Sequence, residues 1–128
     1  MAIDIKYKPE NGFLYIKVMG QCSVEEYETA MDEITQSKQY PANINALWDV
    51  REQDFSDVTS STVQNLVKVS KRYPERGNAM AAFVTNGNLA FGMLRMYEIT
   101  SGMEENDTSQ YLRVFRSYSE AEEWLLGK

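Results

Sequence analysis

Residues 79–84, with the sequence Ala-Met-Ala-Ala-Phe-Val, form an apolar run in which polar side chains do not alternate. This pattern is typical of a central strand that is covered on both faces of a sheet. Turn residues precede the run at Pro74 and Gly77, and Asn86-Gly87 follows it. A short strand with cover on both faces predicts an α/β domain, and the neighbouring segments extend that prediction.

Helical periodicity flanks this strand on both sides. Residues 57–73 place Val63, Val67 and other apolar side chains on one stripe, and residues 89–101 predict another helix, which Asn88 can cap. Residues 44–50 and 111–115 predict further strands. Strands separated by helices imply a largely parallel sheet, because parallel neighbours need crossover connections.

The two ends of the chain complete the predicted fold. Residues 3–8 alternate apolar and charged side chains, residues 13–19 predict a second strand, and Asn11-Gly12 between them is a strong hairpin signal because both residues tolerate positive φ. Capping boxes at residues 23–26 and 119–122 predict a helix to about residue 37 and a short final helix. The chain is predicted to be one α/β domain, residues 1–128, with a mixed five-stranded sheet opened by a β-hairpin and four helices, in the order β-β-α-β-α-β-α-β-α.

Composition argues against several classes of partner and of cellular location. The 128 residues carry a net charge of -6, which disfavours nucleic acid and anionic lipid surfaces. The single cysteine, Cys22, cannot form an internal disulfide and fits a reducing compartment. The N-terminal residues do not resemble a signal peptide, and no apolar run approaches the ~20 residues of a membrane span. We therefore expect a cytoplasmic protein.

The chemistry of most enzyme sites is missing. The sequence has no histidine, so Ser-His and Cys-His pairs and imidazole-ligated metals are excluded. It also has neither of the usual glycine-rich nucleotide-binding motifs. Asp49, Glu52, Asp54 and Asp57 crowd the end of the third strand, where an oxygen-lined cation site is conceivable, but a solvated loop is the preferred interpretation. We expect no catalytic residue, no metal and no cofactor.

The third helix has an unusual excess of apolar residues. At ~100° per residue, Leu89, Met93, Met96 and Tyr97 belong to an apolar arc that covers nearly half its circumference, and Phe91 and Ile99 lie outside that arc. The helix either packs on the sheet and a neighbouring helix, or presents part of this excess to a partner or an apolar ligand. Methionine suits the second use because its side chain is flexible and polarisable.

Two motifs resemble the bacterial STAS-like families related to anti-sigma-factor antagonists. The first is Ala-Leu-Trp-Asp-Val at residues 46–50, followed by Asp-Phe-Ser-Asp at residues 54–57. The second is Leu-Ala-Phe-Gly-Met-Leu-Arg-Met-Tyr-Glu at residues 89–98, which is similar to a third-helix signature of small, largely uncharacterised stand-alone domains. The resemblance spans almost the whole chain. It implies a STAS-like fold and a regulatory role through protein contacts.

The resemblance also implies a regulatory position at the start of the second helix. In anti-sigma-factor antagonists the pattern Asp-Ser-Ser-Gly follows a phenylalanine there, and a partner kinase phosphorylates the serine. Aligning Phe55 and Asp57 with that pattern places Val58 at the phosphorylated position, and the glycine is absent. The hydroxyl residues Thr59, Ser60 and Ser61 follow, either as a displaced acceptor or, in the preferred interpretation, as the cap and first turn of the helix.

Three functions follow, in decreasing order of preference. The first is a non-enzymatic interaction module with a protein partner, using Asp57, the three hydroxyl residues and the third helix. The second is a carrier of a small apolar or lipid-like ligand. The third is an enzyme. The residues predicted to form a ligand pocket or interface are Trp48, Phe91, Met93, Arg95, Met96 and Tyr97. Edge strands and the third helix also leave homodimerisation open.

Overall fold

Five strands form one mixed sheet whose spatial order is the same as their order in the chain. The computed structural model describes residues 2–102 and 111–127. Its elements are β1 (Ile3–Tyr7), β2 (Leu14–Gly20), α1 (Val24–Gln36), β3 (Ala46–Gln53), α2 (Ser60–Ser70), β4 (Met80–Val84), α3 (Asn88–Gly102), β5 (Tyr111–Phe115) and α4 (Tyr118–Leu125). β1 and β2 are antiparallel, and β2 to β5 are parallel. The predicted mixed sheet and its four helices are confirmed.

Helices α1, α2 and α3 cover one face of the sheet. Alternate residues of the strands, such as Ile16, Trp48 and Phe83, point into a core that these three helices close. The rings of Trp48 and Phe83 stack with centroids 5.5 Å apart. This is the larger of the two apolar cores, and it holds β3 and β4 against the helices.

Helix α4 covers part of the opposite face. The intervening residues of the central strands, such as Leu47, Ala82 and Val84, pack against Ala121 and Leu125 of α4. Helix α4 packs mainly on β3, β4 and β5, and the ring of Tyr118 at its start also meets that of Tyr15 in β2 at a centroid distance of 6.3 Å. The prediction that residues 79–84 are covered on both faces is confirmed.

Capping signals in the sequence predict some helix boundaries correctly and others wrongly. The capping box of Ser23 and Glu26 opens α1 as predicted. Helix α2 begins at Ser60, three residues later than predicted, because Thr59 and Thr62 form its capping box. The other two predicted caps are wrong: Asn88 is the first residue of α3, and Ser117 rather than Ser119 caps α4.

The β1–β2 connection is longer than the predicted two-residue turn. Tyr7 pairs with Leu14, and a single turn of 3-10 helix at Pro9–Asn11 fills the loop between them. Only Gly12 takes the positive φ, at 77°. The proline begins this helical turn because its φ suits a first helical position, so Asn11 does not adopt the conformation that an Asn-Gly hairpin needs.

A buried arginine holds the connection between α1 and β3. Arg76 is almost fully buried, and its Nη1 donates to the carbonyl of Ala42 at 3.0 Å and also to that of Ile44. Burial lowers the pKa of the guanidinium to about 10, so it stays charged at neutral pH.

None of the helices in the described parts of the chain is long and apolar enough to cross a bilayer.

Candidate functional site

The carboxyl ends of the four parallel strands meet at one edge of the sheet, called here the carboxyl edge. Ligands of open α/β sheets bind at this edge. Between the first turns of α1 and α2 it carries an open groove of about 360 Å³, lined in part by Val24, Glu26, Asp54, Asp57 and Val58. Its lining combines the apolar side chains of Val24 and Val58 with three carboxylates.

Of the predicted regulatory residues, Asp57 lines this groove, and Thr59, Ser60 and Ser61 follow it at the start of α2. Asp57 is exposed and accepts a hydrogen bond from Nε2 of Gln21 at 2.6 Å, which joins the β2–α1 and β3–α2 loops. The hydroxyl of Thr59 accepts from the backbone N–H of Thr62 at 3.2 Å. Ser60 and Ser61 follow in the first turn, and both are exposed. The hydroxyls of residues 59–61 thus have the cap and first-turn positions that the sequence favours.

The acidic residues near the third strand do not form one cluster. Asp49 lies on the other face of the sheet, and Glu52 pairs with Nζ of Lys17 at 2.6 Å. The carboxylate of Asp54 accepts from the backbone N–H of Ser56 at 2.9 Å, and this bond lowers its pKa. In the parts of the chain that the structure describes, no three such groups converge on a point that could hold a metal ion.

Part of the apolar excess of α3 faces water. Leu89, Met96 and Ile99 are 56%, 38% and 51% exposed, respectively. At about 100° per residue these three positions fall within an arc of roughly 80°, on the side opposite the buried residues of the helix. Half-buried Met93 borders them, and Gly92 lies between them with open space around its Cα. We call Leu89, Gly92, Met93, Met96 and Ile99 the outer face of α3.

The other predicted residues of the third helix have separate surroundings. Tyr97 is buried, and Phe91 is half-buried with the guanidinium of Arg116 4.0 Å from its ring centroid. Arg95 forms an ion pair with Glu98. Neither Arg95 nor Phe91 therefore belongs to the outer face of α3.

Three buried hydroxyls join the three helices beneath this surface. The Tyr27 hydroxyl of α1 lies 3.0 Å from the Tyr97 hydroxyl of α3 and 3.3 Å from that of Ser70 in α2. Ser70 and Tyr97 are also hydrogen-bonded, and Ser70 donates to the carbonyl of Leu66. Burial raises the pKa of Tyr97 well above its usual value, so this hydroxyl stays protonated. The sequence contains no signal for this triad, because its members are far apart in the chain.

The interior beside the triad has little free space. A cavity of about 50 Å³ lies between the helices and the sheet, with Tyr27, Phe83, Leu94 and Tyr97 among its lining residues. Trp48 packs between Tyr27 and Phe83, and its indole N–H has no acceptor within residues 2–102 and 111–127. Cys22 lines the mouth of the same cavity, and burial together with Glu26 raises the pKa of its thiol to about 11. Such a thiol is a poor nucleophile at neutral pH.

A polar network on the α4 side of the sheet escapes prediction. Asp49 is 4% exposed, and Arg51 donates to both of its oxygens at 2.8 Å. Tyr15 donates to the same carboxylate at 2.5 Å. Burial opposes ionisation of Asp49, but the hydrogen bonds from Arg51 and Tyr15 outweigh it and lower its pKa to about 2. Burial and the bond to Asp49 raise the pKa of Tyr15 to about 12.

Comparison with solved structures identifies a protein with a similar fold. The protein is similar to the crystal structure of an uncharacterised protein from the DUF3478 family with a SpoIIAA-like fold, from Shewanella loihica PV-4. The TM-score is 0.60 at 21% sequence identity, and the match covers 97% of this chain and 92% of that one. This chain has a SpoIIAA-like fold. The resemblance to STAS-like domains is therefore confirmed for the fold, while no family model and no curated protein matches the sequence.

Proposed function

We propose that this SpoIIAA-like domain is a non-enzymatic interaction module of the anti-sigma-factor-antagonist-like type. It docks a protein partner through the start of α2, the outer face of α3 and the adjoining loops. The observation that carries the proposal is the exposed apolar stripe of Leu89, Met96 and Ile99. Single exposed apolar residues are ordinary, but a stripe on one helix is typical of a contact surface.

The physical character of the surface defines the partner. Leaving apolar surface in water costs roughly 25 cal/mol per Å², which a partner recovers when it covers the stripe. Methionine at position 96 adapts to the shape of a partner. Asp54 and Asp57 lie on the loop before α2 and contribute negative charge beside the groove. We expect a partner with an apolar docking face bordered by lysine or arginine.

The start of α2 belongs to this surface in the proposal. Ser60 and Ser61 are exposed, and Asp57 stands three residues before the helix. A phosphate on either serine would meet the positive end of the helix dipole, where it is accommodated without unfolding the helix. In the proposal Thr59 acts as the cap, and the two serines contact the partner directly.

The geometry does not favour the alternative of a ligand carrier. Pockets for drug-sized ligands occupy roughly 300–1,000 Å³. The cavity beside Tyr97 has a volume of about 50 Å³, and neither Met93 nor Met96 lines it. Trp48 and Tyr97 are packing residues in this arrangement, and Met96 points towards water.

The test is partner capture with matched surface variants. Affinity-tagged wild-type protein expressed in its own cells is crosslinked, and the captured proteins are compared with those captured by Met96→Asp and by Leu126→Asp. Leu126 is a suitable control because it is 42% exposed against 38% for Met96, and it lies next to Gly12 near α4. We expect a stoichiometric partner with the wild type and with Leu126→Asp, and its loss with Met96→Asp.

Two results would contradict the proposal. One is a partner whose capture does not respond to Met96→Asp. The other is wild-type protein that remains alone by native mass spectrometry and captures nothing above the level of an unrelated bait. Both variants change exposed side chains, so their thermal unfolding is expected to match that of the wild type within a few degrees.

A further inference from the structure

The outer edge of β1 offers a row of backbone groups. β1 is at one end of the sheet, and its only neighbour among the described strands is β2. The carbonyl of Ala2 accepts from the N–H of Met19 at 2.8 Å, so the pairs Ala2–Met19 and Asp4–Lys17 are of the hydrogen-bonded kind. Since such pairs alternate with non-hydrogen-bonded ones, the N–H and C=O groups of Ile3, Ile5 and Tyr7 point away from β2. These three residues can therefore accept another strand.

A groove with an acidic wall runs beside this edge. It has a volume of about 210 Å³ and lies between β1 and α1, with Ile3 and Ala30 as its apolar floor. Glu25, Thr29 and Glu33 stand one helical turn apart on α1 and form its wall. None of its described lining residues is basic. At the other end of β1 the ring of Tyr40 packs on the ring of Tyr7 at a centroid distance of 5.0 Å.

The spacing of the carboxylates matches that of an extended chain. Glu25 and Glu33 are eight residues apart on α1, about 12 Å along the helix axis. Residues i and i+4 of a β-strand point to the same face and are about 13 Å apart. A strand with basic residues at i and i+4 can therefore set both charges against the glutamates. The residue at i+2 then lies over Ile3 and Ala30.

We propose that the β1–α1 groove binds an extended segment of a partner protein, which adds to β1 as a sixth strand. Its motif is basic-x-apolar-x-basic, with the long basic side chains covering the apolar floor before they reach Glu25 and Glu33. Backbone hydrogen bonds to Ile3, Ile5 and Tyr7 provide affinity, and the glutamates of the groove wall provide specificity for basic side chains. This groove adjoins the carboxyl-edge groove at Glu26, which lines both, but its other lining residues are separate.

A second copy of the chain fits this edge less well. Symmetric antiparallel pairing of two β1 strands would place both α1 helices on the same face of the joined sheet, with the Glu25 and Glu33 side chains of the two copies facing each other. Like charges in that position oppose association, and charged residues commonly protect edge strands in this way. Charge complementarity thus favours a basic segment.

The test uses the fluorescein-labelled peptide Thr-Lys-Thr-Val-Thr-Lys-Thr and the full chain. We expect saturable binding by fluorescence anisotropy, weakened at least about tenfold in the double variant Glu25→Lys/Glu33→Lys. The control Glu10→Lys/Glu123→Lys makes the same change in net charge at two exposed glutamates elsewhere and should bind like the wild type. Circular dichroism checks that each variant is folded.

Amide exchange measured by NMR separates strand addition from loose electrostatic binding. With the peptide bound, the amides of Ile3, Ile5 and Tyr7 should gain protection, while those of Asp4 and Lys6, which already face β2, should not change. Equal weakening in the control variant would overturn the proposal, and so would peptide binding without protection of the three amides. Protection that arises without peptide, together with dimers in analytical ultracentrifugation, would also overturn it in favour of a second copy.

Discussion

The hydroxyl oxygens of Tyr27 in α1 and Tyr97 in α3 lie 3.0 Å apart in the core. With Ser70 they form a triad that takes one residue from each of the three helices on this face. We expect Tyr97→Phe to destabilise the protein by about 1–3 kcal/mol, because it removes a buried hydroxyl and leaves its partners short of a hydrogen bond. Urea unfolding measures this, with Tyr111→Phe as an exposed control that should change little. A cycle with Tyr27→Phe should show coupling, and strict additivity would contradict a shared network.

The first turn of α2 provides a second test. Thr59→Ala should lower the free energy of unfolding by about 1 kcal/mol, since it removes the side-chain acceptor for the N–H of Thr62. Ser61→Ala should lie within about 0.5 kcal/mol of the wild type because its side chain is exposed. Denaturant titrations of both variants give the comparison. If Ser61→Ala is the more harmful of the two, the assignment of Thr59 as the cap is wrong.

The buried carboxylate of Asp49 should make stability depend on pH in the acid range. Its pKa of about 2 in the folded protein lies below the usual value of 3.8, so it contributes stability above pH 4 that is lost as the pH falls towards 2. The difference in unfolding free energy between wild type and Asp49→Asn should shrink by about 2 kcal/mol between pH 5 and pH 2. Parallel pH profiles for the two proteins would show that the Arg51 and Tyr15 contacts do not stabilise the ionised form.

Gly92 links stability to the proposed interface. It lies inside α3, and a Cβ placed there would meet nothing within 4 Å. Gly92→Ala should therefore raise the free energy of unfolding by about 0.5–1 kcal/mol, as expected for glycine in a helix interior. If a partner approaches the outer face of α3 closely, the same change should weaken its capture. A more stable variant with undiminished capture would place the contact elsewhere on the surface.

Arg76 should be far more important to stability than its neighbour Arg72. Arg76→Met leaves the carbonyls of Ala42 and Ile44 without their charged donor, and we expect a loss of about 1.5–3 kcal/mol. Arg72 pairs with Glu28 at the surface, so Arg72→Met should cost less than about 1 kcal/mol. Thermal unfolding of the two variants decides. Equal losses would mean that the guanidinium of Arg76 is not an essential donor for the α1–β3 connection.

The sequence predicts those features that depend on neighbours in the chain. The Ser23 capping box and the apolar run of residues 79–84 are confirmed, because each pattern contains its own physical cause. The predicted cap of α4 is wrong by two residues. Either Ser117 or Ser119 could stand before the first turn of a helix, and the choice between them depends on where β5 ends. The loop at Pro9 differs because the proline started a helical turn before the Asn-Gly pair.

The features that sequence reasoning missed depend on contacts between distant segments. The sequence groups Asp49 with the acidic residues of the following loop, but the alternation of β3 turns it to the α4 side, where Tyr15 of β2 donates a hydrogen bond to it. The apolar excess of the third helix was visible in the sequence. Which of its residues face water depends on the rotation of the helix about its own axis. The packing of Ala90, Leu94 and Tyr97 in the core sets that rotation.

Each strand from β2 to β5 pairs with the strand that precedes it in the chain. During translation each new strand can therefore join a partner that has already left the ribosome, which keeps the search for each pairing short. Helix α4 follows all five strands in the chain, so the side chains of Phe13, Leu47 and Val84, which it helps to bury, stay exposed until it has been synthesised. The nascent chain consequently passes through a stage with one finished core and one bare sheet face, and this is the stage at which aggregation or chaperone binding is expected.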